Sequence, residues 1–412
     1  MLDRRQFASR VASLLASGVA SRIIAGAGGL ATALVARRAW GQSASLPFGN
    51  GDRPLVQYPQ KRPLIRLTER PPQLETPFDV FDAGPITPND AFFVRYHLSE
   101  LPREIDPDAF RLEVDGKVNK PLSLSLKDLR AMPAVEIVAV NQCSGNSRGF
   151  FEPRIVGGQL GNGAMGNARW KGVTLKAVLD KAGVQAGARQ VVFDGLDRPP
   201  AATVPDFIKA LDVDQARDGE VMLAWAMNGA DLPWLNGYPL RVVVPGYYGT
   251  YWVKHVNKIT VIDSVFDGFW MKTAYRIPDN ECACVPAGGK PDKTRPIARF
   301  DVRSFITNMQ PGARIKAGSA LIRGIAFDGG HGIKEVALSS DGGKTWGTTQ
   351  LGKDLGKYSF RTWQATIKLP AGSHALLARA TSRSGEVQPM EPRWNPAGYM
   401  RNVVETVAVE AA

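Results

Sequence analysis

Residues 361–369 read RTWQATIKL, and the apolar Trp363, Ala365, Ile367 and Leu369 alternate with polar neighbours. That two-residue period is the pattern of a strand with one face in a core and one in water. Working outward, SALIRGIAFDGG (319–330), IKEVALSSDGGKTW (333–346), SHALLARATS (373–382) and VVETVAVE (403–410) repeat the theme, each closed by turn residues. A stretch of some 120 residues holding only strands predicts an immunoglobulin-like β-sandwich. Upstream lies VPAGGKPDKTRP (285–296), dense in Gly, Pro and charge, which reads as a linker.

Before that linker the pattern changes. FRLEVDG (110–116), QVVFDG (190–195) and PLRVVVPG (239–246) read as strands ending in Gly turns, whereas TLKAVLDKAG (174–183) has helical spacing and a Gly stop. From 91 to about 275 a mixed α/β domain is expected, so the fold class is α+β with an all-β C-terminal part. Residues 42 to about 90 are Pro-rich and read as an irregular arm wrapped around the core. The expected organisation is a leader over 1–41, a first domain over 42–285 including the arm, and a sandwich over 286–412.

The leader has paired Arg4 and Arg5, then Phe7, then a weakly apolar Ala/Gly stretch, with Ala39-Trp40-Gly41 before Gln42. Its last uncharged run, 23–36, is shorter than the roughly 18 apolar residues a membrane span needs. A twin-arginine export signal is expected, and with it a periplasmic location and no membrane span after cleavage. Removing its six arginines and one aspartate lowers the formal charge from +12 to +7. No basic run is interleaved with aromatics, so nucleic acid binding is not expected.

The chain of 412 residues has three cysteines, Cys143, Cys282 and Cys284. An exported protein stapled by disulfides would carry an even, well-spaced set. Cys143 is therefore expected to be unpaired, in the loop NQCSGNSR that follows the apolar run VEIVAV. A thiol at a strand end beside an arginine is placed to act as thiolate, either nucleophile or soft-metal ligand, although a lone cysteine is more often a small core residue. Four histidines and no CxxC make a zinc site a poor match. Cys282 and Cys284, separated by Ala283, could form a strained disulfide, a reactive pair or two buried small residues. CxxCH is absent, so no haem is expected in this chain, and no dinucleotide fingerprint is present.

Six stretches occur in order: FFVRYHL (92–98), NQCSGNSR (141–148), GNGAMGNARWKGV (161–173), LAWAMNG (223–229), YPLRVVVPGYYGTYWVKHV (238–256) and DGGKTW (341–346). Together they resemble the sulfite oxidase family of molybdopterin enzymes, and most closely its bacterial exported sulfite dehydrogenases. The resemblance spans nearly all of the chain beyond the leader. It implies a molybdenum–molybdopterin cofactor with Cys143 as the thiolate ligand of the metal. It places Arg95, Arg148 and Tyr275 with Cys143 in the catalytic site, and Phe93, His97, Asp197, Asn236, Arg241 and Lys254 with Cys143 around the cofactor. Sulfite is then the substrate, a c-type cytochrome the electron acceptor, and a homodimer or a complex with a cytochrome subunit the assembly, the sandwich being the dimerisation domain. Alternatives with the same cofactor are a sulfane-sulfur dehydrogenase or a sulfoxide reductase. The chain departs from the animal enzymes at Asn236 (histidine there), Leu160 (a pocket tryptophan) and Ala397 (an arginine close by), and Arg401 is a candidate to compensate.

Overall fold

The alternating run becomes the strand Arg361–Leu369, paired antiparallel with Gly318–Phe327 along its whole length. Trp363 and Leu369 are buried, as the two-residue period requires. Arg303–Ile306 and Gln350–Leu351 complete this sheet. A second sheet runs Ala313–Ile315, Thr406–Ala411, Gly372–Ser382, Ile333–Ser339 and Gly347–Thr348. Ile322 and Trp363 from the first sheet meet Val336, Leu376 and Val409 from the second in one apolar core, which makes this part a two-sheet sandwich.

These strands belong to a computed structural model that describes residues 43–412, which pack as one unit. The leader lies outside the described residues. Among the described residues no helix is long and apolar enough to cross a membrane.

The larger part is built on two further sheets. One carries Lys209–Asp212, Gln190–Gly195, Val256–Ile262, Leu112–Gly116 and Leu122–Leu124. The other carries Ala230–Asp231, Met222–Met227, Met165–Thr174 and Ala134–Gln142, with Arg241–Val243 paired to Met222–Met227. The expected helix is Leu175–Ala182: Thr174 caps it by accepting from the Ala177 N–H at 3.2 Å, and Gly183 ends it at φ +72°. Leu175, Val178, Leu179 and Ala182 form its buried face. The other α-helices among the described residues are only four or five residues long, so this part is more β-rich than the sequence suggests.

The arm is also more ordered than its prolines suggest. Ser43–Ser45, Asp52–Val56, Leu64–Thr68, Gln73–Glu75 and Val94–Arg95 form an antiparallel sheet. Leu64, Leu74, Val94 and Tyr96 close over Leu235, far away in sequence. Strands of two to five residues are too short to show a period, and the contact that holds them is tertiary. At the proposed linker, Thr294–Pro296 folds back on Arg276–Pro278 as a two-stranded ribbon. The larger core then continues into Phe300, Phe305, Phe327, Tyr358 and Phe360.

Candidate active site

Strand ends converge on one cleft with an empty volume of about 510 Å³. Strand Ala134–Gln142 delivers Cys143, Val94–Arg95 delivers Arg95, and Arg241–Val243 begins with Arg241. Lys254 stands just before Val256–Ile262, and Asp197 just after Gln190–Gly195. Phe93, Arg95, His97, Cys143, Asn236, Arg241, Lys254 and Tyr275 all line the cleft. Arg148 and Asp197 do not line it directly; they sit behind the wall, as follows.

The Cys143 loop is tightly specified. Its N–H donates to Ala164 O at 2.9 Å, extending the ladder of the preceding strand by one rung. Asn146 N–H bonds back to Cys143 O at 3.0 Å, and the Asn146 side-chain oxygen accepts from Ala164 N–H at 2.9 Å. Ser147 is left-handed at φ +71° and donates its N–H to Gly161 O at 2.7 Å. Glu75, fully buried, accepts from the Gly161 and Gly163 N–H groups at 3.0 and 3.2 Å. Burial raises its pKa to about 7 against the lowering effect of those amides. Cys143 itself is buried and unpaired.

Behind the thiol lies a concentration of buried positive charge. Arg241 packs its guanidinium against Trp170 and Trp252, 4.9 and 5.6 Å from the ring centroids, and donates to Asn236 O at 2.8 Å and Trp252 O at 3.2 Å. Burial lowers its pKa to about 9. Lys254 sits 3.9 Å from the Tyr96 ring centroid and donates to Arg95 O at 2.6 Å. Burial and the nearby Arg241 charge lower it to about 7. Lys61, which sequence reading missed, donates to Asn89 O at 2.6 Å, Phe92 O at 3.0 Å and the Asn236 side-chain oxygen, and burial brings it to about 7. Asp197 is the carboxylate beside Lys254, with its own pKa raised by burial to about 6. A single buried carboxylate leaves these cations undercompensated, which selects for an anionic occupant.

Tyr275 and His97 form the opposite wall. The His97 Nε2 is hydrogen-bonded to the Tyr275 hydroxyl, and the imidazole stacks on Phe207 at 3.8 Å. Burial, with Arg95, Lys254 and Lys209 nearby, pushes the His97 pKa well down and keeps the ring neutral. Tyr275 sits at φ +58°, and burial pushes its phenol up. Lys209 lies beneath it, 5.2 Å from the Tyr275 centroid and 4.6 Å from that of Tyr251, and donates to Trp270 O at 2.6 Å. Within FIKALDVD this lysine gave no signal, since an isolated lysine in a short strand ordinarily faces water.

Arg148 turns toward the C-terminal segment. Its Nε donates to Ala397 O at 3.1 Å and its guanidinium lies 5.1 Å from the Tyr399 centroid. Arg401, by contrast, does not compensate for the missing arginine: it pairs with Glu405 and packs on Phe150, away from the cleft. Leu160 is buried in the core. Cys282 and Cys284 are joined in a disulfide.

The donor set fits a molybdopterin. Asn141 Oδ1, Ser144 Oγ, Arg241 Nε and Thr250 Oγ1 are buried without protein partners, and all four residues line the cleft. Such atoms are costly unless a ligand satisfies them. A Cβ on Gly249 would lie 2.3 Å from Asn141 Oδ1, so glycine there leaves room for the Asn141 side chain at the cleft.

Two family models match this chain: an oxidoreductase molybdopterin binding domain over 98–270 and a Mo-co oxidoreductase dimerisation domain over 294–412. The mitochondrial sulfite oxidase of Rattus norvegicus is 33% identical over 386 residues, covering 89% of this chain and 68% of that protein. The chain belongs to the sulfite oxidase family of molybdopterin oxidoreductases. Another member, the sulfite oxidase of Arabidopsis thaliana, is 30% identical, covering 86% of this chain and 96% of that protein. Among solved structures, the sulfane dehydrogenase SoxCD of Paracoccus pantotrophus superposes with a TM-score of 0.73 at 28% identity, covering 86% of this chain and 87% of that one. The family fixes the cofactor as molybdenum–molybdopterin and places a dimerisation domain after residue 293.

Proposed function

We propose that this protein is an exported, periplasmic sulfite dehydrogenase that oxidises sulfite with water to sulfate, two protons and two electrons. The electrons leave one at a time to a c-type cytochrome, and the chain works as a homodimer or in a complex with a cytochrome subunit. An immunoglobulin-type connectivity of the sandwich belongs to the same reading. The observation that carries it is a buried thiol facing undercompensated arginines and lysines in one cleft, within a chain whose relatives include sulfite oxidases.

Cys143 would hold the metal as thiolate, which a positive surround favours. Arg241, Lys254 and Lys61 (through Asn236) would meet the cofactor's phosphate, and Asp197 and the unpartnered amide and hydroxyl groups its heterocycle. When bound, the cofactor supplies two-electron oxo-transfer chemistry. Arg95, in the cleft, holds the sulfur oxyanion, and Arg148, set just behind the wall, adds its charge to stabilise that on the oxygens. The Tyr275 hydroxyl, hydrogen-bonded to the Nε2 of neutral His97 and kept protonated by burial, is positioned to donate a hydrogen bond to a substrate oxygen. Phe207 and Trp270 pack around this pair and exclude water.

The SoxCD likeness keeps a sulfane-sulfur substrate as the second reading. A neutral sulfoxide suits the cationic cleft less well. Steady-state reduction of cytochrome c with sulfite or thiosulfate, and oxidation of a reduced viologen dye with methionine sulfoxide, separate them. Sulfite giving the highest kcat/KM supports the proposal; thiosulfate exceeding it tenfold favours the sulfane reading. Rapid oxygen consumption without cytochrome reduction would overturn the acceptor.

A further inference from the structure

The turn Asn395–Met400, between the sandwich strands Gly372–Ser382 and Thr406–Ala411, packs against residues that line the cleft, Ser144 and Tyr275. The Asn395 side chain clamps Tyr399 from both sides of its peptide, donating to Tyr399 O at 2.7 Å and accepting from its N–H at 3.1 Å. Met400, left-handed at φ +59°, donates its N–H to Ser144 O at 3.3 Å, next to Cys143. Ala397 O receives the Arg148 Nε at 3.1 Å. Gly398 is held at φ +63°, and a Cβ there would lie 2.9 Å from the Arg148 side chain. A backbone held at both ends of Tyr399 fixes where its ring starts from and lowers the cost of ordering it.

That ring touches Tyr275, which lines the cleft, and Arg148 behind it. Tyr399 stacks on Tyr275 with centroids 5.3 Å apart and planes 9° from parallel, while the Arg148 guanidinium lies 5.1 Å from the same ring. Aromatic stacking and cation–π contact both gain in strength when water is excluded. Burial raises the Tyr399 phenol, so it stays neutral and leaves the guanidinium charge unspent. In this chain the position near Ala397 offers no arginine of its own; it offers a carbonyl and an aromatic face that aim Arg148 instead.

We propose that Tyr399 is a positioning residue for anion binding, fixing Arg148 and Tyr275 relative to each other from the C-terminal part of the chain. The inference rests on the reading of this cleft as an oxyanion site, and deepens it by naming which contact sets the arginine. Tyr399→Leu removes the aromatic face and Tyr399→Phe keeps it. Calorimetric titration with sulfate, the product anion, needs no turnover. In Tyr399→Leu the sulfate affinity is expected to fall about tenfold, with Tyr399→Phe recovering most of the loss and molybdenum content unchanged in both. The KM for sulfite should rise by a similar factor, with kcat changing about twofold at most. Because Tyr399 acts through Arg148, Arg148→Gln combined with Tyr399→Leu should bind sulfate no more weakly than Arg148→Gln alone. Equal affinity in Tyr399→Leu and wild type, losses that simply add in the double variant, or no sulfate binding by wild type overturns the proposal. Sulfate binding with the predicted pattern but no sulfite oxidation would sink the dehydrogenase reading and leave the positioning role standing.

Discussion

Replacing Glu75 by Gln gives a stability difference that moves in favour of Gln as pH rises, because Glu75 holds the Cys143 loop as a neutral group. The carboxyl is 1% exposed and accepts from the Gly161 and Gly163 amides, and its pKa rises from the ordinary 4.5 to about 7, chiefly through burial, with distant Arg53 opposing. A folded-state pKa above the unfolded one means the folded chain binds this proton more tightly. The contribution to stability is therefore full below pH 4.5 and lost as pH rises through about 7. At 1.36 kcal/mol per unit, the wild type should lose about 2 to 3 kcal/mol relative to Glu75→Gln between about pH 5 and about pH 8. Other titrating groups, Lys61 and Lys254 among them, cancel in the difference because both proteins carry them. The assay is urea unfolding of the two proteins in parallel across that range, with thermal midpoints as a check. Gln can accept from only one of the two glycine amides and sets its NH2 against the other, so it carries a pH-independent cost, and the test is how the signed difference moves in favour of Gln as pH rises. A difference that stays flat within about 0.5 kcal/mol would show that Glu75 is ionised in the fold and that the reasoning is wrong.

Arg148→Gln should raise the KM for sulfite by about tenfold to a hundredfold, the worth of a charge-assisted contact, with little change in folding; an unchanged kcat/KM removes Arg148 from the substrate site. Thiol titration in denaturant should find one thiol per chain without reductant, Cys143, and three after reduction; three at the outset would mean Cys282 and Cys284 are not paired.

The sandwich and the thiol loop were legible because both rest on local pattern. RTWQATIKL carries its period in nine residues, and NQCSGNSR carries its turn residues beside the cysteine. Pterin-side residues such as Arg241 and Lys254 could be placed through the motifs around them. The arm's sheet could not be, since its strands are held by Tyr96 and Leu235 rather than by their own period. Lys61, Lys209 and Tyr399 were missed for one physical reason: each looks like surface until the fold buries it against residues more than 60 positions away, as with Lys61 and Asn236, Lys209 and Tyr275, Tyr399 and Arg148. Arg401 erred the other way, close in sequence to the missing arginine yet turned to Glu405.

The most direct measurement is molybdenum content together with sulfite-dependent cytochrome c reduction in Cys143→Ser, purified beside the wild type. Cys143 is the free thiol among the described residues and lines the cleft. The account predicts one molybdenum per chain and sulfite turnover in the wild type, with turnover lost in the folded variant. A Cys143→Ser protein that oxidises sulfite at the wild-type rate would contradict it.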